Sequence, residues 1–217
     1  MRIVLIGPPG AGKGTQARVL AGLLSVPAIS SGDLFRAETS RGTALGELVQ
    51  RHTDAGELVP DELTAAIVTG RLREPDAADG FLLDGFPRTV RQAELLEETL
   101  GKDGTVIDAV LALDLPDDEI VQRLTGRRMC PACGTTVHTV FSPPRVPDRC
   151  DGCAGPLVRR ADDTEETVLR RLALYAEQTV PLLRWYAARE LLFPVDAAGT
   201  VREVSDRMSS ALAAVTR

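Results

Sequence analysis

The run Gly7-Pro8-Pro9-Gly10-Ala11-Gly12-Lys13-Gly14-Thr15 constrains this chain more than any other feature. It follows an apolar stretch, Arg2 to Ile6, and opens a helical pattern from Thr15 to Leu24, so the expected unit is strand, loop and helix. In such a loop the backbone N–H groups turn inward at the positive end of the helix, where they can hold phosphate oxygens, and Lys13 reaches the outer phosphates. Glycines serve here because a Cβ would block both the backbone conformations and the close approach to an anion. Lysine occurs only twice in the chain, as Lys13 and Lys102, and one of the two falls where the phosphates would be. The alternative is a glycine-rich strand-to-helix turn that binds nothing, which that placement disfavours. The usual motif has Ser or Thr directly after the lysine to ligate magnesium; here that position is Gly14, with Thr15 one residue late. The loop alone specifies a nucleoside phosphate.

The remaining pattern alternates short apolar runs with longer helical ones, the mark of a parallel sheet with crossover helices. Strands are expected at Arg2 to Ile6, Ala28 to Ser30, Phe81 to Asp84, Val106 to Leu113 and Leu191 to Val195. Helices are expected at Thr15 to Leu24, Asp33 to Ser40, Leu45 to Asp54, Asp61 to Arg73, Val90 to Leu100, Asp117 to Thr125, Thr164 to Glu190 and Val201 to Val215. Acids in the first turns at Asp61-Glu62 and Asp117-Asp118-Glu119 complement the helix dipole, and Pro181 should kink the longest helix. With 217 residues the chain closes one core that can carry two small insertions. A net charge of -6 disfavours nucleic acid as a partner. The apolar start is too short for an export signal, and no run approaches the roughly 20 apolar residues of a membrane span. A cytoplasmic protein is therefore expected.

Between Arg127 and Arg160 the periodicity vanishes and Cys, Pro and Gly take over. Cys130-x2-Cys133 and, after sixteen intervening residues, Cys150-x2-Cys153 use every cysteine in the chain. This is the spacing of a four-thiolate structural zinc site, closed to substrate. Two disulfides are the alternative, disfavoured in a reducing compartment, and iron is a further occupant of such a site. The stretch has too few apolar residues to fold alone, so metal binding would supply its folding free energy.

Several separate segments together resemble the adenylate kinases, from Met1 to about Arg207. They are Gly10-Ala11-Gly12-Lys13-Gly14-Thr15-Gln16, Ser30-Ser31-Gly32-Asp33-Leu34-Phe35-Arg36, Asp84-Gly85-Phe86-Pro87-Arg88 with Gln92, and Arg160-Ala161-Asp162-Asp163 with Glu165-Glu166-Thr167 and Arg171. The resemblance implies an α/β, P-loop NTPase-like fold: a doubly wound five-stranded parallel sheet with a helical AMP-binding insertion and a small zinc-binding lid. It divides one nucleoside monophosphate kinase domain into a core (1–29, 60–125, 164–217), an AMP-binding insertion (30–59) and a lid (126–163). A monomer acting on ATP, AMP and ADP, with Mg2+ and a structural Zn2+, is what it leads one to expect.

By the same resemblance, Ser31 (often Thr in the family), Arg36, Arg88, Gln92 and the backbone of Glu57, Leu58 and Val59 hold AMP, with Gly85, Phe86 and Pro87 lying against it. The Gln92 amide can pair with an adenine edge, and Arg36 and Arg88 can fork onto the AMP phosphate. Phe86-Pro87 is a candidate cis peptide. The loop from Gly10 to Thr15, including Ala11, Gly12 and Gly14, takes the ATP phosphates together with Arg127. Arg123, Thr136, Val137 and the backbone of Gly199 take the ATP base; Val137 stands where relatives often carry an aromatic. Arg160 and Arg171 converge on the transferring group and also touch AMP, Asp84 holds waters around magnesium, and Asp162 and Asp163 tie the lid's arginines.

These residues suffice for the chemistry. Phosphoryl transfer between two phosphates needs charge neutralisation and alignment more than covalent help. The acceptor phosphate is already ionised near neutral pH, so no general base is called for, and His52 and His138 match no base motif. Water must be excluded from the reacting group, which is the task of a closing lid. Two rivals are weighed: a kinase for UMP, CMP or GMP, and a nucleotide-dependent switch gripping nucleic acid or protein through a zinc ribbon. The switch predicts an Asn-Lys-x-Asp segment or a basic finger, and neither is in the sequence.

Overall fold

The computed structural model describes residues 1–55, 57–160 and 163–215. Five strands form one fully parallel sheet in the order β2 (Ala28–Ser30), β3 (Phe81–Asp84), β1 (Arg2–Ile6), β4 (Ala109–Asp114), β7 (Leu192–Asp196). Side chains alternate across it. Ile3, Leu5, Leu82, Leu111 and Leu113 face one side, where α1 (Lys13–Leu24) and α9 (Val201–Val215) pack. Val4, Ile6, Leu83 and Val110 face the other and share a second core with residues of α4 (Asp61–Leu72), α5 (Val90–Lys102) and α8 (Val180–Ala187). Because both faces are covered, the strands read as unbroken apolar runs. This is the doubly wound α/β fold.

Two helices leave the sheet after β2. α2 (Ser31–Ser40) and α3 (Ala44–Ala55) form a small cluster of their own around Phe35, Val49 and Val59. After α6 (Asp117–Thr125) the chain builds a two-stranded antiparallel ribbon, β5 (Arg127–Met129) with β6 (Thr136–His138), in the stretch without periodicity. Its apolar centre consists of Cys130, Cys150 and Leu157, with Val137 against them. His138 anchors the ribbon: its Nε2 donates to the Gln122 carbonyl of α6 at 3.2 Å, and its Nδ1 accepts the N–H groups of Val140 and Phe141 at 3.0 Å each.

The long helix expected from Thr164 to Glu190 is three pieces. α7 (Glu165–Leu174) runs into a π-helical turn, Tyr175–Thr179, and then into α8. The cause is Pro181, which has no N–H and whose ring collides with the carbonyl four residues back. The widened turn accommodates it, with Val180 N–H bonding to the Tyr175 carbonyl. β4 begins at Ala109, not Val106, since Val106 lies exposed outside the sheet.

Candidate functional site

Parallel sheets of this kind offer ligands the crevice beyond their carboxyl ends, beside a change in strand order. There β1 passes into the glycine loop. Gly10 and Gly12 take positive φ angles of 87° and 86°, and Gly12 caps α1 through its carbonyl, which receives the N–H groups of Thr15 and Gln16 at 3.0 Å each. Lys13 Nζ donates to the carbonyls of Gly7 and Pro8 at 2.7 and 2.8 Å. Burial lowers its pKa to about 8; Asp84 opposes that shift, while Arg88, Arg171 and Arg127 add to it.

Asp84 ends β3 level with Leu5 and Ser30, so strand register carries its carboxylate to the mouth of the loop. Burial raises its pKa, and the charges of Lys13 and Arg88 pull it back down. A Cβ on Gly14 would stand 3.2 Å from Asp84 Oδ2, so the carboxylate crowds the side on which the motif's usual hydroxyl residue would sit.

Beyond Asp84 the chain turns through Gly85, at φ 77°, and a cis Phe86–Pro87 peptide. Ser31 Oγ and Arg88 Nε both donate to the Gly85 carbonyl at 2.8 Å, and the Phe86 side chain is buried in the core. Arg88 is held again from behind, its carbonyl accepting Thr179 Oγ1 at 2.9 Å. Gln92, almost wholly buried, accepts the Arg88 N–H on Oε1 and donates from Nε2 to Asp61, both at 2.8 Å.

Several of these groups line one cleft of about 850 Å3. Lys13, Arg36, Gly85, Pro87, Arg88, Gln92, Arg160 and Arg171 line it, with the turn Glu57 to Val59. That turn is shaped by Glu57 N–H bonding to the His52 carbonyl at 2.9 Å and by Thr64 Oγ1 bonding to the Val59 carbonyl at 3.1 Å. Arg36 pairs with Asp33 one turn back on α2. Arg127 joins the cluster through Asp163, a fully buried carboxylate that takes its Nε at 2.8 Å and lies 3.9 Å from Arg171 Nη1. Asp162 lies outside the described residues.

The remaining sequence candidates gather elsewhere. Arg123 donates to the Ala197 carbonyl at 3.2 Å and pairs with Glu119, beside the turn in which Gly199 takes φ 101°. Thr136 and Val137 stand on β6, in register with Met129 and Arg128. Sequence reasoning did not single out Thr179, Thr89 or Arg159, which braces the Asp163 carbonyl through Nε at 3.1 Å, and it read Asp61 only as a first-turn acid. The spacing Thr89-x-x-Gln92, a helix-capping pattern, was the available signal for Thr89.

The four cysteine sulfurs all lie within 4.8 Å of one another, and all four are free thiols. Sulfur separations of 3.4 Å (Cys130 to Cys153) and 3.5 Å (Cys133 to Cys150) compare with the ~3.8 Å edge of a tetrahedron built on zinc–sulfur bonds of about 2.3 Å. The donor set fits a structural metal. Both pairs sit in matching knuckles: Gly134 N–H bonds to the Cys130 carbonyl at 2.9 Å, and Ala154 N–H to the Cys150 carbonyl at 2.8 Å.

Residues 5–191 match the family model described as adenylate kinase. The chain is 52% identical over 212 residues to an adenylate kinase of Acidothermus cellulolyticus, covering 98% of both chains. It is 52% identical over 213 residues to an adenylate kinase of Streptomyces avermitilis, covering 98% of this chain and 97% of that one. A third, from Moorella thermoacetica, is 52% identical over 204 residues, 94% of each. No helix among the described residues is long and apolar enough to cross a membrane.

Proposed function

The chain belongs to the adenylate kinase family, and on that premise we propose that it transfers the terminal phosphoryl group of ATP reversibly to AMP, giving two ADP, with magnesium, in the upkeep of adenine nucleotide balance. One observation carries the reading: Lys13, Arg36, Arg88, Arg160 and Arg171 line a single cleft at the carboxyl end of the sheet. A cleft with that much positive charge suits two polyphosphates brought end to end.

In this reading the loop from Gly10 to Thr15 and Arg127 take the phosphates of ATP, while Arg123, Thr136, Val137 and the Gly199 backbone face its base. AMP lies between Ser31, the turn from Glu57 to Val59, and the segment from Gly85 to Arg88; its phosphate is forked by Arg36 and Arg88, its base read by Gln92. Arg160 and Arg171 close on the group in transit. Charge spreads over the equatorial oxygens of a loose transition state, so cations fixed in advance lower the barrier without reorganising. No side chain needs to remove a proton, because the AMP phosphate is already an anion near neutral pH. The buried carboxylate of Asp84 is suited to hold the waters of a magnesium ion, in place of the hydroxyl the loop lacks. When bound, that ion would supply charge neutralisation for the phosphate groups.

Residues 126–163 serve as the lid over the reaction and 30–59 as the AMP-binding insertion, both carried on one core. Cys130, Cys133, Cys150 and Cys153 would hold zinc, whose part is structural: a ribbon with so small an apolar centre needs a metal to fold. We place the protein in the cytoplasm, as a monomer.

The test is to incubate metal-replete protein with magnesium, ATP and each of AMP, CMP, UMP and GMP, following both diphosphates. Rapid conversion of AMP, with ADP formed from both partners, is the expected result. Preference for another acceptor would keep the phosphate chemistry and overturn the base assignment. Nucleotide binding without transfer to any acceptor would overturn the kinase reading.

A further inference from the structure

The environment of Gln92 decides more than its position. Its amide is buried, and two groups of opposite character clamp it. On one side Arg88 N–H, which can only donate, bonds to Oε1 at 2.8 Å; on the other Asp61 Oδ1, which as a carboxylate only accepts, takes Nε2–H at 2.8 Å. Asp61 is fixed in turn by Thr89, whose hydroxyl donates to Asp61 Oδ2 at 3.0 Å while accepting the Gln92 backbone N–H at 3.1 Å. Asp61, Thr89 and Gln92 form a closed ring of hydrogen bonds joining the first turns of α4 and α5. Rotating the amide by half a turn would set nitrogen against N–H and oxygen against carboxylate, so this polarity is locked.

We propose that Asp61 is a specificity-determining positioning residue: by locking the polarity of the Gln92 amide it makes the acceptor site select 6-aminopurine over 6-oxopurine monophosphates. The inference rests on the reading of Gln92 as the group that faces the acceptor base. With one hydrogen of Nε2 committed to Asp61 and one lone pair of Oε1 to Arg88, the amide keeps one donor and one acceptor in fixed order. Adenine answers that order with its 6-amino donor and the N1 acceptor. Hypoxanthine reverses both, offering a 6-carbonyl acceptor and an N1–H donor. A site whose polar groups cannot turn over leaves such a base with two mismatched pairs, and buried mismatches discriminate far better than a missing apolar contact.

The experiment compares kcat/KM for AMP and for IMP, with magnesium and ATP, in the natural protein, D61N and Q92L, with calorimetric Kd values for both monophosphates on the same samples. Asn keeps the shape of Asp61 but can present either a donor or an acceptor, so the amide of Gln92 is released at one end. The expected result for D61N is a fall of roughly tenfold or more in the AMP-to-IMP ratio, carried by KM and Kd, with kcat at saturating AMP within about threefold. A variant that unfolds more easily yet keeps the natural ratio shows Asp61 to be a brace between helices and overturns the proposal. Q92L separates the two layers of the argument. If Q92L loses the ratio and D61N does not, the proposal alone fails; if Q92L keeps both the ratio and the AMP affinity, Gln92 does not read the base and both readings fall.

Discussion

Asp163, without exposed surface, accepts a hydrogen bond from Arg127 Nε at 2.8 Å and stands 3.9 Å from Arg171 Nη1, so one buried carboxylate aims two of the cations proposed to act on the transferring phosphoryl group. Asp163→Asn keeps the shape and removes the charge that holds both guanidinium groups. A buried pair broken on one side leaves the other charge uncompensated and free to turn. We expect kcat to fall about 10- to 100-fold, equivalent to ~1.4–2.7 kcal/mol of transition-state stabilisation, with the KM for AMP little changed. Steady-state kinetics check this, and an unchanged kcat would contradict the role of Asp163.

Lys13 sets a pH dependence with a definite sign. In the folded chain its pKa is lowered to about 8, chiefly by burial, against roughly 10.4 in an unfolded one. Between these values the unfolded chain binds more protons, so this group's contribution makes stability rise with pH across that window. Nucleotide binding runs the other way. Phosphate anions favour the charged lysine, so ATP should carry a proton into the site above pH 8, and affinity should fall by up to about tenfold per pH unit there. Calorimetry at about pH 8.5–9 in buffers of different ionisation enthalpy should register that proton, and Lys13→Met should abolish it.

Metal removal tests the cysteine cluster. The ribbon's apolar centre is too small to sustain it, so prolonged chelation, or Cys150→Ser, should lower the Tm by at least ~5 °C, equivalent to about 2 kcal/mol or more for a chain of this size. Activity should be lost at a lower temperature than in the metal-replete protein. Added zinc should restore the chelated protein and not the serine variant. Scanning calorimetry with metal analysis on the same samples decides the point; a Tm indifferent to metal would show that hydrogen bonds such as those of His138 hold the ribbon unaided.

Much of the architecture could be read from the residues because its causes are local. The strands Arg2–Ile6, Ala28–Ser30 and Phe81–Asp84 fall where the apolar runs put them: Ile3 to Ile6 and Phe81 to Leu83 are continuously buried, and the polar residues Arg2, Ser30 and Asp84 mark where such runs stop. The strands Arg127–Met129 and Thr136–His138 were illegible for the opposite reason: three residues beside a cysteine cluster have no period to display. Pro181 announced a break, but only the fold shows the break as a π-helical turn lying before the proline. Motifs placed Lys13, Arg88 and Gln92, and the structure brings all three to one cleft. The ring around Gln92 stayed hidden, because Asp61 is 28 residues from Thr89 and 31 from Gln92 along the chain, and no local pattern reports a pairing that only the packing of α4 on α5 creates.

The two cysteine knuckles differ at one position, and the difference has an energetic consequence. After Cys133 the chain turns through Gly134 at φ 72°; after Cys153 the equivalent turn falls on Ala154 at φ 58°. Both N–H groups bond back to the first cysteine of their pair, so the left-handed conformation is needed in each. A Cβ there crowds the following carbonyl oxygen, at a cost of about 1–2 kcal/mol that glycine avoids. Glycine also loses more freedom on folding, which offsets roughly half of that gain. Ala154→Gly should therefore stabilise the ribbon by ~0.5–1 kcal/mol and slow metal loss to a competing chelator a few-fold, leaving kcat within about twofold. Gly134→Ala should do the reverse by a similar amount. Release kinetics followed with a chromogenic chelator test both substitutions, and faster release from Ala154→Gly would mean that strain at this turn is not what limits the hold on the metal.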